Sequence, residues 1–391
     1  MGYVAVKGGT NAIEASIERL AYERLKRGTT VSAEQIRGGM RVLIDQVMSE
    51  ASLYSEAVAA LCIKQAEGSP EEAVFTMRAF RSTLPRIHYS AETRSESMRI
   101  ERRISATFKD IPGGQILGAS YDYTHRLLRD DIADETDESA DEWLRTWFAR
   151  PLAAPEPIGE LPKVIDYLRN QGLMKTVPQD DTPPKDVTKE ALSFPTERSQ
   201  RLQVLTRGQT GAVTALGYAS LRGYGPLLHP TVAELRVGHL PITIPNPFGD
   251  EDDEDDGYYI GSIKVTEVES VVPVSVPRGE GRSEIEFDIG YGVCFGQNET
   301  KAIAMSLLDQ CLENPDPSHP THDEEFVLLH IDSVEATGFI SHLKLPHYVT
   351  FQSELDSVRA SRRSSQASIA DRAVTAPQRS SSGTGTQGGG T

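Results

Sequence analysis

Between residues 234 and 296 the sequence changes period. The stretches ELRVGHLPITI, YIGSIKVTEVESVVPVSV and EIEFDIGYGVCFG alternate apolar and polar residues, the two-residue repeat of strands. Up to about residue 130 the apolar residues instead recur at helical spacing: Ile13, Ile17, Leu20 and Leu25 after Asn11, then Ile36, Met40, Leu43, Ile44 and Val47. Ser32 with Gln35 forms a capping box, and Ser69-Pro70-Glu71-Glu72 places proline where a helix begins. Helices in one half and strands in the other predict an α+β fold: a largely helical N-terminal region with a mixed, mostly antiparallel sheet in the C-terminal region.

The same periodicities divide the chain of 391 residues. A mainly helical domain is expected over 1–132, interrupted by the KDIPGGQILG loop at 109–118. Residues 133–197 turn acidic and then proline-rich and read as a variable connector with short helices near Trp143–Phe148 and Val164–Leu168. Helical spacing resumes at Leu202 and Leu205, and Asn298 caps a helix running to Cys311, so 198–362 reads as a mixed C-terminal domain. From 363 to 391 no apolar pattern survives, which predicts a disordered tail.

Composition restricts the partners. The net charge is −17, and seven of those charges lie in the run DEDDEDD at 250–256. That balance argues against nucleic acid or an anionic membrane as the main partner. No apolar run approaches the roughly 18 residues of a membrane span. The N-terminus shows no secretory pattern, and three widely spaced cysteines make neither a disulfide framework nor a CxxC knuckle, so a cytoplasmic protein is expected. The acidic run lacks the alternating ligands and central glycine of a calcium loop and reads as a solvated segment.

Several stretches carry candidate chemistry. In YVAVKGG a short strand ends at Lys7, Gly8 and Gly9 before a helix, where free N–H groups can hold phosphate, although a tight strand-to-helix turn is the simpler account of the glycines. RIERRISATFKDIPGGQ gathers Arg99, Arg102, Arg103 and Lys109 before Gly113 and Gly114. Arginine forks bind phosphate oxygens; Glu96 and Glu101 also permit a salt-bridged helix face. Arg222 precedes a glycine-flanked tyrosine. The stretch 321–348 concentrates His322, Asp323, Glu325, His330, His342 and His347. His342 and His347 stand five apart around Pro346, which excludes an ordinary helix through the pair. A bend presenting both imidazoles to one metal ion, or two histidines satisfied at an interface, accounts for that spacing.

Longer words make a family resemblance visible. YVAVKGG, MRIERRISATFKDIPGGQILG-x-x-YDYTHRLL, RSQRLQ, LRGYG, GYGVCFG-x-x-E-x-KA-x-AM and DEEFVLLH-x-D-x-VEATGF-x-SHLKLPHYV occur in the order found in the I subunit of the bacterial carbon–phosphorus lyase core complex. The chain resembles that family from residue 1 to about 356, less closely over 133–185 and 243–283. The resemblance implies a subunit working with the G, H and J subunits on ATP and an alkylphosphonate. The implied reaction displaces adenine, giving ribose 1-phosphonate 5-triphosphate; alone, such a subunit resembles a purine nucleosidase. It also implies a zinc ion held by His342 and His347 and shared with the J subunit. Lys7, Gly8, Gly9, Arg102, Arg103, Lys109, Gly113, Gly114 and Arg222 are then the candidates for holding the polyphosphate, with Mg²⁺ expected alongside ATP. Asp110, Asp122, Asp323 and Glu325 are the candidate catalytic acids. The competing expectation is a non-catalytic scaffold that supplies an interface and half of the zinc site.

Overall fold

The computed structural model describes residues 8–151, 161–177, 182–223, 229–246, 248–249, 257–279 and 281–374, the last five of these without side chains. Lys7 and its strand, the Tyr224–Gly225 turn, the acidic run 250–256 and the tail beyond 374 lie outside the described residues. The chain forms two compact units. One takes the described parts of 24–337, the other those of 1–23 and 338–391. The sequence reading instead divided the chain into four parts, at 132, 197 and 362.

The larger unit is built on a four-stranded sheet ordered β1 (Arg99–Ile104), β2 (Thr231–Pro245), β3 (Gly257–Pro277) and β4 (Ser283–Phe295). Every pairing between these strands is antiparallel, in keeping with the α+β reading. The first strand is a correction. RIERRI lies in the region expected to be helical, and its arginines suggested a charged helix face, yet it pairs with β2 from Arg99↔His239 to Ile104↔Leu235.

Strand alternation gives the sheet two unlike faces. Leu235, Val237, Val268 and Cys294 turn one way, into the largest apolar core. There they meet Leu205 and Val213 of the helices Arg198–Arg207 and Thr210–Leu221, and Met305 and Leu308 of the helix Glu299–Glu313. Gly290 and Gly292 let that last helix approach the sheet backbone: a Cβ would stand 1.9 Å from the Ser306 carbonyl oxygen at Gly290 and 2.1 Å from that of Ala302 at Gly292.

The opposite face is charged. Arg103, Glu234, Arg236, Glu267 and Glu269 are all buried on it. They are covered by residues 161–174, which sequence reading assigned to a loose connector. That segment instead inserts Val164, Ile165 and Leu168 against Ile111, Ala233 and Val271. Lys163 reaches Glu267 at 3.1 Å and Glu269 at 2.9 Å. Burial pushes the Glu269 carboxyl up to about 7 despite this contact, because one ammonium must serve two carboxylates.

A separate helical layer packs Ile44, Val47 and Met48 of the helix Arg41–Ala51 against Ile63 of Glu56–Gln65 and Val74 and Met77 of Pro70–Ser82. Ser69 and Asn298 cap helices as their spacing predicts. The smaller unit holds most of the helix Gly9–Leu25, the 3-10 turn His342–Lys344 and the helix Tyr348–Val374. The last runs eleven residues past 363, so the start of the expected disordered tail is helical. None of the helices described has the length and apolar character to cross a membrane.

Candidate functional site

Arg102 and Arg103 are neighbours in β1 and therefore face opposite sides of the sheet. Arg103 is fully buried and bonded to Glu234, to the carbonyls of Pro112 at 2.6 Å and Gly114 at 3.2 Å, and to that of Pro162 at 2.8 Å. Its donors are consumed in fastening the Pro-Gly-Gly loop and the 161–164 segment to the sheet. This accounts for its charge inside the fold and removes the reason for assigning it to phosphate.

Arg102 turns to the other side, where it binds Asp122 and Glu299, two of the residues that line a cleft of about 480 Å³. Its guanidinium grips Glu299 through Nε at 2.9 Å and Nη2 at 3.1 Å, and the same Nη2 also reaches Asp122. Burial works against the charge on Arg102, but the hydrogen bond to Glu299 and the charges of Glu299 and Asp122 outweigh it and raise its pKa. Gln297 extends the network. Its Nε2 donates to Glu299 at 3.0 Å and to the Ala119 carbonyl at 2.8 Å, while its Oε1 accepts from Arg41 at 2.8 Å. Buried Asp45 accepts from the Gln297 backbone N–H at 2.9 Å and fixes where that side chain starts. Arg126 stands 3.9 Å from Asp122 at the rim.

Three segments far apart in sequence thus supply one cleft: the first turn of the Arg41–Ala51 helix, the loop 119–126, and Gln297–Thr300 at the start of the Glu299–Glu313 helix. Two carboxylates are held by one buried guanidinium, with two further arginines and a helix N-terminus at the edge. Such a site can place negative charge beside a carbon that becomes positive and positive charge beside an anionic group.

The structure brings Arg102 and Asp122 together and leaves the other sequence candidates elsewhere. Lys109 and Asp110 are exposed, and Asp110 borders a different cleft with Lys163 and Tyr167. Gly113 and Gly114 take positive φ of 79° and 73° in the loop that Arg103 holds. Asp323 caps the helix Glu324–His330, accepting from the Phe326 N–H at 3.0 Å; Glu325 is exposed on that helix. Neither lines the Arg102 cleft. Arg222 ends the helix Thr210–Leu221 with its guanidinium 5.8 Å from the Tyr218 ring. Gly8 and Gly9 have φ of 101° and 56° at the start of the Gly9–Leu25 helix. Sequence reasoning missed Arg41, Gln297 and Glu299. Of these only Glu299 falls on a specified position of a family word, GYGVCFG-x-x-E-x-KA-x-AM.

In the smaller unit the two histidines do meet. Their ring centroids lie 5.4 Å apart, with Pro346 holding the chain extended after the 3-10 turn. His347 Nδ1 lies 2.6 Å from the Leu345 carbonyl, and His342 Nδ1 contacts that of Phe339. A carbonyl only accepts, so each Nδ1 carries the proton and each Nε2 keeps its lone pair. That is the tautomer of a metal-binding histidine with its second nitrogen anchored. Among the described residues no group of three or more His, Cys, Asp or Glu side chains is placed to hold a metal. The donor set therefore fits half of a zinc site, with two positions to be filled from outside it.

The family model for PhnI, a bacterial phosphonate metabolism protein, matches residues 2–365. A putative C-P lyase subunit protein, HtxH of Stutzerimonas stutzeri, is 43% identical over 365 residues, covering 92% of this chain and 95% of that protein. The alpha-D-ribose 1-methylphosphonate 5-triphosphate synthase subunit PhnI of Rhizobium meliloti is 42% identical over 383 residues, 94% of this chain and 97% of its own length. The Escherichia coli subunit of the same name is 42% identical over 366 residues, 91% of this chain and 97% of that protein.

Proposed function

This chain belongs to the PhnI family, and from that premise we propose that it carries the nucleotide site of a phosphonate-degrading complex, with the Arg102 cleft as that site. In cytoplasmic assembly with G, H and J subunits it transfers the ribose 5-triphosphate of ATP to an alkylphosphonate. A phosphonate oxygen bonds to C1′ as the C1′–N9 bond breaks, and adenine leaves with the bonding pair and takes up a proton. Positive charge grows on the sugar during this exchange. Glu299 and Asp122, held in place by Arg102, stand where that charge is stabilised. Arg41 and Arg126 at the rim meet the triphosphate, with Mg²⁺ accompanying it. The same site acting with water in place of phosphonate gives nucleosidase activity.

The observation that carries this reading is the pair of carboxylates on one buried guanidinium inside a cleft of about 480 Å³. Its test is adenine release from ATP and methylphosphonate by the assembled complex. Glu299→Gln and Asp122→Asn are each expected to lower kcat on the order of 10²-fold with the fold intact. Unchanged rates in both variants would overturn it.

The histidine pair belongs to a second part of the proposal. His342 and His347 hold one half of a zinc ion whose remaining ligands come from a partner subunit. When bound, the zinc supplies a rigid clasp between chains. Phe339, Ile340, Leu343, Tyr348 and Val349, all exposed around the pair, suit burial by that partner. This apolar surface is also what favours the scaffold reading, in which catalysis lies on other chains. The two separate cleanly: a scaffold would release no adenine alone and would tolerate Glu299→Gln in the complex. Zinc content undiminished in His342→Ala and His347→Ala complexes would refute the metal assignment.

A further inference from the structure

One helix holds Gln297 at both ends. The Gln297 backbone N–H donates to Asp45 Oδ2 at 2.9 Å, and its side-chain Oε1 accepts from Arg41 Nη1 at 2.8 Å. Asp45 and Arg41 stand four residues apart on the helix Arg41–Ala51 and so share one face of it. The neighbours also decide which way the Gln297 amide points. A guanidinium only donates and takes Oε1; the Glu299 carboxylate and the Ala119 carbonyl only accept and take Nε2. Through that nitrogen Gln297 reaches both Glu299 and the start of the loop that carries Asp122.

Asp45 is 5% exposed and does not line the cleft. The chain is shaped to admit it. Gly296 adopts a φ of 69°, and a Cβ there would stand 2.1 Å from Asp45 Cγ. The residues on either side of Gln297 are fixed by the sheet: the Gly296 N–H donates to the Lys264 carbonyl at 2.8 Å, and the Asn298 N–H to Thr266 Oγ1 at 3.0 Å. The sheet thus sets the path of this corner, while Asp45 and Arg41 set the direction in which the Gln297 side chain leaves it. Glu299 is then held from two sides, Oε2 by Arg102 Nη2 at 3.1 Å and Oε1 by Gln297 Nε2 at 3.0 Å. One donor leaves a carboxylate free to rotate; donors on separate oxygens fix its plane.

We propose that Asp45 is a positioning residue for adenine release, acting through Gln297 to orient Glu299 and to anchor the Asp122 loop beside it. This inference rests on the Arg102 cleft being the nucleotide site. Asp45 meets neither substrate nor the reacting atoms; its effect is the geometry of the two carboxylates that do.

The test is steady-state adenine release from ATP and methylphosphonate by the assembled complex. Hydrogen exchange of the peptide containing 296–300 gives a readout independent of activity. Asp45→Ala is expected to lower kcat by roughly tenfold or more and to leave the KM for ATP within about twofold, because no group on the cleft surface is removed. Asp45→Asn keeps the volume and an acceptor oxygen, and should hold kcat within about threefold of wild type. Exchange in 296–300 should quicken in Asp45→Ala and not in Asp45→Asn. Gln297→Met leaves the buried corner intact, so it carries the test even where Asp45→Ala does not fold; it should repeat the loss in kcat. Combined with Asp45→Ala it should cost little more, since the two act in series. Wild-type kcat in Gln297→Met or in folded Asp45→Ala, equal losses in the Ala and Asn variants, or unchanged exchange would each overturn the positioning role. A complex slowed by Glu299→Gln but by none of these variants keeps the nucleotide site and loses only this inference, whereas indifference to Glu299→Gln removes both.

Discussion

Arg103 offers the sharpest separation of a structural role from a ligand-binding one. The side chain has no exposed surface and serves Glu234 and the carbonyls of Pro112, Gly114 and Pro162. Glu234 is itself buried; it accepts also from the Val164 N–H at 3.1 Å and lies 3.0 Å from Arg236 Nε. Arg103→Gln removes one member of a buried pair while the carboxylate stays behind, a change that costs about 3–5 kcal/mol. The three freed carbonyls border the 109–118 loop, where water can reach them after local opening, so the lower half of that range applies. In a unit of this size the loss lowers Tm by roughly 5–6 °C. The double variant Arg103→Met/Glu234→Leu removes both charges and should recover most of the loss, because an apolar pair of similar volume replaces a desolvated ion pair. Urea unfolding followed by circular dichroism measures all three proteins, and ATP titration of the same samples measures affinity. An Arg103→Gln protein with the wild-type midpoint and weakened ATP binding would refute the structural assignment and return Arg103 to the phosphate-binding set.

Two further outcomes follow from the sheet. Glu269 holds its proton up to about 7 because of burial, against an ordinary 4.5, so the folded state binds more protons than the unfolded chain between those values. Its contribution to stability is fully present below about pH 4.5 and is lost as pH rises toward 7, a change of roughly 3 kcal/mol. Glu269→Gln should flatten that part of the stability–pH profile, measured by chemical unfolding from pH 4.5 to 8, and an unaltered profile would contradict the assignment. Gly292→Ala would set a methyl 2.1 Å from the Ala302 carbonyl oxygen, forcing the Glu299–Glu313 helix off the sheet. A loss of about 3 kcal/mol is expected, with impaired adenine release because Glu299 begins that helix.

What could be read from the sequence was what local chemistry determines. Ser32, Ser69 and Asn298 cap their helices as their spacing predicts, and the alternating stretches became β2, β3 and β4. RIERRI was misread because its charges imitate a helix face, while the pairing that makes it a strand comes from β2, more than a hundred residues later. The connector failed for the same reason. Val164, Ile165 and Leu168 signal a short helix, but nothing local shows that a charged sheet face requires covering. The cleft was only half legible. Asp122 and Arg102 stood out as charges, whereas Glu299, next after the helix cap Asn298, was not singled out. Its meeting with Asp122 and Gln297 depends on three segments that no local pattern relates.

The two faces of the sheet explain why a basic word in an acidic protein divides into unlike roles. On one face, Arg103, Arg236 and Lys163 balance Glu234, Glu267 and Glu269, and the covering segment shuts out water. Charges compensated there hold the fold and have no spare donor for a ligand. On the other, Arg102 is itself buried, but Glu299 is 19% and Asp122 48% exposed, so their free oxygens open into the cleft. A single residue step along β1 therefore separates a fastening arginine from a site-forming one. Exchanging which arginine is lost separates the two roles by experiment: Arg103→Gln should act on stability first, whereas Arg102→Gln should loosen Glu299 and Asp122 and act on turnover in protein that still folds.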